Sequence, residues 1–236
     1  MKKTILFFSI FLFCNNINSQ SLLANKYGFI FGVNTSEWIS NNQEGVKNIT
    51  SDISFNMSGG FYIQIALTDK WNIAPNLLYT QKGISFEYDY TVDYPINQRD
   101  EYTTVNSLSL SYVELMPKVS YNITDKFSVN LAPTISFLIN SNYTFNESIT
   151  NQLDESTAPI SLEEGVFNEE SLLVGLSLGY GYNFNDNLGV EARIYRQLGV
   201  TSNYSGEVRR PIELGSEDPS FILQDETLTI SILYSF

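Results

Sequence analysis

The chain has 236 residues, with 13 Lys and Arg against 26 Asp and Glu (net charge −13), 43% hydrophobic, 14% aromatic and 17% charged residues, one Cys and no His. One or two domains fit this length, the apolar content is too high for a disordered chain, and an acidic balance without any Lys/Arg cluster excludes nucleic-acid binding through phosphate neutralisation. Without His, Ser-His-Asp and Cys-His catalysis, most zinc sites and imidazole proton shuttles also drop out.

The first element reads as a secretory signal peptide over residues 1–19. Lys2 and Lys3 precede an apolar run from Ile5 to Phe13, and a polar stretch from Asn15 to Ser19 follows. The apolar run is too short for a membrane-spanning helix, and cleavage after Ser19 puts a small residue at the cut. Cys14 leaves with the peptide; the bulky Phe13 before it disfavours lipoprotein processing. Residues 20–236 are then the barrel domain, with 11 basic and 26 acidic residues and no thiol. Disulfide chemistry is excluded in any redox compartment.

From there the chain alternates in polarity with a period of two, the signature of half-buried strands. The first strand runs from Tyr27 to Asn34. In the second, Phe55, Met57, Phe61, Ile63, Ile65 and Leu67 oppose Ser54, Asn56, Ser58, Gly60, Tyr62, Gln64 and Ala66. The third covers Trp71 to Ile84 and the fourth Ser107 to Tyr121. In the fourth the apolar parity slips near Ser111, from even at Leu108 and Leu110 to odd at Val113, Leu115 and Val119; a β-bulge there would restore the facing. The fifth sets Phe127, Val129, Leu131, Ile135, Phe137 and Ile139 against Ser128, Asn130, Ala132, Thr134 and Ser136. The sixth sets Leu172, Val174, Leu176, Leu178, Tyr180, Tyr182 and Phe184 against Gly175, Ser177, Gly179, Gly181 and Asn183. The seventh covers Leu188 to Val200, and the eighth runs from Thr227 to Phe236, where only Leu233 breaks the alternation.

Connection lengths alternate. The short turns Thr68-Asp69-Lys70, Thr124-Asp125-Lys126 and Asn185-Asp186-Asn187 share one chemistry, whereas the other four connections, roughly 36–53, 87–106, 140–170 and 203–225, are long. An antiparallel meander with all its long loops at one end and both termini at the other is the layout of an outer-membrane barrel. The expected fold is therefore all-β: an eight-stranded antiparallel up-and-down transmembrane β-barrel with four long loops at one end and three short turns at the other. A soluble lipocalin-like ligand-binding barrel is the alternative architecture, but its outside would be this small, charge-poor Gly/Ser/Thr/Asn parity, a poor solvent surface and a good filling for a narrow barrel. Trp71, Tyr121, Phe127, Tyr182, Phe184, Tyr234 and Phe236 gather at the short-turn end, where amphipathic rings favour a membrane border.

The strand Tyr112-Val113-Glu114-Leu115-Met116-Pro117-Lys118, followed by Val119-Ser120-Tyr121, resembles the Y-L-E-I-P-L-L-L-K-Y strand of PorT-like outer-membrane β-barrel proteins. Gly175 to Tyr182 and then Leu188 to Arg193 look like that family's penultimate hairpin, and the resemblance runs over essentially the whole mature chain. It implies an integral outer-membrane protein of a Gram-negative bacterium and, for some members, a part in protein secretion. Phe236, ending the outward stripe, is similar to the C-terminal signal that such barrels present to the barrel assembly machinery.

Two constellations are candidate sites. On the inward parity Lys82, Glu114, Lys118, Glu191 and Arg193 can meet inside the barrel, and a mutually neutralising plug outweighs an ion path because so narrow a barrel is filled by its side chains. In the long connections lie 20 of the 26 acids, opposed only by Lys47, Arg99, Arg209 and Arg210. The third carries seven acids and no Lys or Arg, yet keeps Leu153, Ile160, Leu162, Val166 and Phe167. Asp154, Glu155, Glu163, Glu164 and Phe167 are its binding candidates, since loops on a rigid scaffold are where binding usually resides. No catalytic set and no cofactor are expected; calcium on loop carboxylates is a minor alternative, because no run matches a twelve-residue calcium loop. The function expected is non-enzymatic: surface binding, envelope integrity or secretion through acidic extracellular loops. A narrow solute or ion channel is the alternative. Partners are outer-membrane lipids, the assembly machinery and a secretion or surface protein.

Overall fold

The structure, a computed structural model, describes residues 26–44, 47–94, 98–151, 162–169, 171–199, 202–208 and 220–236. The expected signal peptide lies outside them. The described residues form eleven strands and no helix: β1 (Lys26–Glu44), β2 (Lys47–Asp52), β3 (Ser54–Ala66), β4 (Trp71–Tyr94), β5 (Gln98–Asn122), β6 (Phe127–Asn151), β7 (Leu162–Glu169), β8 (Leu172–Asn183), β9 (Leu188–Gln197), β10 (Ser202–Val208) and β11 (Ser220–Ser235). Eight of them, in the order β1-β3-β4-β5-β6-β8-β9-β11, make an antiparallel meander that closes on itself where β1 pairs with β11, from Gly28 opposite Ser235 to Thr35 opposite Leu228 and beyond. Closure leaves no strand edge around the wall, a requirement for backbone that faces lipid.

The three short turns are copies of one device. Thr68 Oγ1 accepts from the backbone N–H of Lys70 (3.3 Å) and Trp71 (3.0 Å), and Thr124 Oγ1 does the same for Lys126 (3.3 Å) and Phe127 (3.1 Å). In the third turn Asn185 Oδ1 takes that place for Asn187 (2.9 Å) and Leu188 (2.8 Å). A short polar side chain that caps its own turn explains the recurring Thr/Asn-Asp sequence. The turns also join round the ring: the carbonyls of Lys70, Lys126 and Asn187 each accept at 2.8 Å from Asn122, Asn183 and Ser235.

Next to the turns the polarity of the wall is inverted relative to a soluble barrel. Phe31, Phe55, Leu77, Leu115, Leu131, Leu178, Ile194 and Ile230 point outward and exposed, while Ser, Thr, Asn and the charged residues of the opposite parity are buried inside. The bottom of the interior holds an apolar cluster of Ile30, Tyr62, Leu78, Met116 and Ala132. Leu233, the residue out of step in β11, packs against that cluster.

Two expectations need correcting. The long connections are built mainly from strand: β4 and β5 remain paired up to Tyr94 and Gln98, and β2, β7 and β10 add to the wall there. The 24 residues of β4, at about 3.3 Å each and tilted about 40°, reach about 60 Å along the axis, against an apolar band about 25 Å tall. The parity slip near Ser111 is likewise no change of facing in β5. Leu108 and Leu110 stay on the inward parity of Tyr112 and Glu114 and are buried, as are Ile84, Phe86 and Tyr88 on β4, while Ser107, Ser109 and Glu87 point outward. What changes is the surroundings: below Tyr79 and Val113 the outside is apolar and the inside polar, and above them the order reverses. The bulge lies on the partner strand. Asn140 is opposite Ser111 and Leu138 opposite Tyr112, so Ile139 is the extra residue, and it resets β6 so that Tyr143 sits opposite Leu108.

This inversion gives a direct expectation. Leu110→Ala, deleting a buried side chain above the lipid band, should cost about 2 to 5 kcal/mol, whereas the neighbouring Ser109→Ala should stay within about 0.5 kcal/mol. Urea unfolding of the barrel in vesicles measures both; comparable losses for the two would refute the assigned facing.

Candidate functional site

All five interior residues read from the sequence are buried in the barrel, in two groups. In the upper one, Lys82 of β4 is held by two carboxylates, Glu114 of β5 at 3.2 Å and Asp225 of β11 at 2.9 Å. Its ammonium also lies 3.8 Å from the ring centroid of Tyr195 and 5.4 Å from that of Tyr112, a cation–π enclosure from two further directions. Thr80 Oγ1 donates to Glu114 Oε2 (3.0 Å), Ser136 Oγ to Glu114 Oε1 (2.9 Å) and Thr227 Oγ1 to Asp225 Oδ1 (2.8 Å). In the lower group Lys118 donates to Glu191 Oε2 at 2.6 Å, joined by Asn130 Nδ2 at 3.1 Å, and Arg193 Nη1 stands 3.6 Å from Glu191 Oε1.

The two groups together carry three positive and three negative charges. A buried charge is tolerated when it is paired, and every member of this set has an opposite charge within 4 Å on strands β4, β5, β9 and β11, Lys118 and the carboxylates being hydrogen-bonded as well. The glycines of β8 make room for it. A Cβ on Gly175 would run into the Tyr195 ring that covers Lys82, and one on Gly179 into the Asn130 carboxamide that binds Glu191. The Gly-x-x-x-Gly spacing of this strand thus serves the large side chains of its neighbours.

A family model for the outer membrane protein beta-barrel domain matches residues 18–203. The chain belongs to that family. Among solved structures it is similar to OprG from Pseudomonas aeruginosa, at 11% identity and a TM-score of 0.47, covering 90% of this chain and 96% of that one. It is also similar to Neisserial surface protein A, at 8% identity and a TM-score of 0.36 over 90% and 99%, and to Ail of Yersinia pestis, at 9% and 0.35 over 91% and 100%. No curated protein matches the sequence.

In this outer-membrane barrel domain the interior set gains one residue over the sequence expectation, and the register sorts it into pairs. Asp225 falls by sequence among the acids of the fourth long connection, yet it is fully buried against Lys82. The signal was in the sequence: Asp225 continues the inward parity of Thr227, Thr229 and Ser231 by one step. Glu114 pairs with Lys82, while Lys118, two residues further along its own strand, reaches Glu191. Phe236 is on the outward parity and exposed; its N–H donates to Tyr27 O (3.1 Å) and its ring meets those of Tyr27 (5.1 Å) and Phe29 (5.7 Å).

Of the loop candidates, Asp154 and Glu155 lie outside the described residues. Glu163, Glu164 and Phe167 lie on β7, where the backbone sets Phe167 opposite Tyr204 and Glu163 opposite Glu207 of β10. Among the described residues no group of three or more His, Cys, Asp and Glu could hold a metal ion.

Glu114→Ala should cost about 3 to 5 kcal/mol, because it removes one of the two carboxylates that compensate a buried ammonium. Replacing Lys82, Glu114 and Asp225 together by apolar residues of similar volume should cost far less. The comparison of unfolding midpoints decides it; a neutral Glu114→Ala would mean that Lys82 is hydrated rather than sealed in.

Proposed function

We propose that this barrel is a closed, non-enzymatic scaffold of the outer membrane of a Gram-negative bacterium, exported by the signal peptide of residues 1–19 and assembled through Phe236, and that it acts through its long-loop end, facing outward from the cell. The observation that carries this reading is the contrast between the two parts of the wall. Beside the lipid band the interior holds the cluster around Met116 below and the ion pairs above, which favours a closed barrel over a solute path. Yet β4, β5 and β6 continue far past that band, a length that spanning the bilayer does not require.

The PorT-like resemblance of Tyr112 to Tyr121 favours a role in secretion or envelope integrity within this frame, and the acids of the third connection favour a basic partner. The test has two arms. In planar bilayers the purified barrel should show no steady conductance, whereas a regular single-channel step would support the channel alternative. In cells, residues 145–168 are replaced by a short Gly/Ser turn; β6 pairs with β8 only as far as Phe137, so the membrane wall keeps its partners. The variant should remain heat-modifiable on gels and lose the proteins crosslinked to the parent. A variant that keeps every partner would remove the third connection from the reading.

A further inference from the structure

Directly above the lipid band, the outer face of β4, β5 and β6 is a flat field of small uncharged polar side chains. The pairing stacks it in rungs: Gln81, Ser111 and Asn140; then Gly83, Ser109 and Asn142; then Ser85, Ser107 and Thr144. Ser107, Ser109, Asn140, Asn142 and Thr144 are exposed, and no Lys or Arg stands in these rungs. The lowest rung is tied to the lipid band by Tyr79, whose hydroxyl donates to Ser111 Oγ (3.1 Å) and accepts from Gln81 Nε2 (3.2 Å), while the rings of Tyr79 and Phe137 and the aliphatic side chain of Ile139 are exposed on the hydrocarbon side.

We infer that this face is a docking surface for the sugar headgroup of a glycolipid in the leaflet that surrounds the long-loop end. The choice of occupant comes from the continuity of the two surfaces. A molecule whose acyl chains lie along Tyr79, Phe137 and Ile139 has its head, by geometry, on the rungs above, and the six steps of β5 from Ser111 to Val105 give that head about 15 Å of height. The chemistry on offer there is hydroxyl and carboxamide. These donate and accept hydrogen bonds, as sugar hydroxyls do, and without a cation they give no preference to a phosphate. Elsewhere the outward face is different: β9 carries Arg196, paired with Glu226 at 3.2 Å, and β3, next to β4, carries the exposed apolar Met57 and Phe55. The inference rests on the membrane reading above, but not on the third connection or on any protein partner.

The test uses the full-length mature barrel in phosphatidylcholine nanodiscs doped with a rough-type lipopolysaccharide that carries core sugars, with lipid A lacking them, or with phosphatidylglycerol. Bound lipids are counted by native mass spectrometry. The parent should retain the core-bearing lipopolysaccharide over lipid A and phosphatidylglycerol, with or without EDTA. The double variant Ser109→Val/Asn142→Leu, exposed residues replaced by strand formers, should lose that preference by about tenfold, the loss of roughly two net hydrogen bonds. Its gel shift on boiling should be unchanged, which separates this outcome from a failure to fold. Equal retention of lipid A, equal retention of phosphatidylglycerol, loss of the preference in EDTA, or a double variant that keeps it would each overturn the inference. The first places the contact below the core sugars, on the lipid A disaccharide or the acyl chains, the second points to charge and the third to cation-bridged acids such as Glu87.

Discussion

Every backbone N–H and C=O that meets hydrocarbon must find its partner within the protein, and the rest of this structure follows from that constraint. Only a closed sheet meets it with strands, which is why β1 and β11, at opposite ends of the chain, are zipped together over more than a dozen residues. Closure with eight strands fixes a narrow interior. The narrow interior in turn dictates small residues, glycines beneath large neighbours, and charges that neutralise one another at close range.

The same constraint accounts for the change of polarity along single strands. β5 keeps one facing from end to end, yet it is apolar outside at Leu115 and Val119 and apolar inside at Leu108 and Leu110. Along β4 and β5 the side chains follow the medium on each side of the wall, lipid below the Tyr79 level and water above it, whereas on β3 the outward apolar stripe runs on through Met57 and Phe55. The upper part, built from extended β4, β5 and β6 with β2, β7 and β10, has an ordinary buried apolar core, to which Ile84, Phe86, Tyr88 and Leu173 contribute. It is a soluble protein's core standing on a membrane protein's wall.

The membrane part was legible in the sequence because period-two alternation is a local property, and so were the Thr-Asp-Lys turns, whose side chains cap themselves. The upper part was not. Runs such as Glu87 to Asn106 are rich in acids, Thr and Tyr, so their polarity reads as loop, although their pairing extends strands that begin far below. Asp225 shows the limit at a single residue: its parity placed it inside, its charge suggested water, and parity prevailed because Lys82 and Thr227 are there to receive it. Partner choice within the interior was also out of reach. Glu114 and Lys118 lie on the same strand face, and only the register of β4 and β9 against β5 and β8 decides that they serve different partners.

The point at which the outside of β5 passes from lipid to water is open to direct measurement. The only Cys is Cys14, within the segment expected to be cleaved, so single Cys labels can be placed at will. Nitroxides on successive positions from Val105 to Tyr121, probed with oxygen for lipid and a nickel chelate for water, read that border out. Leu115 and Val119 should be open to oxygen, Ser107 and Ser109 to nickel, and Leu108 and Leu110 to neither. Oxygen access at Leu108 and Leu110 would instead mean that β5 turns its facing at Ser111 and that the apolar band continues upward, contradicting the inversion on which both the sealed barrel and its working end depend.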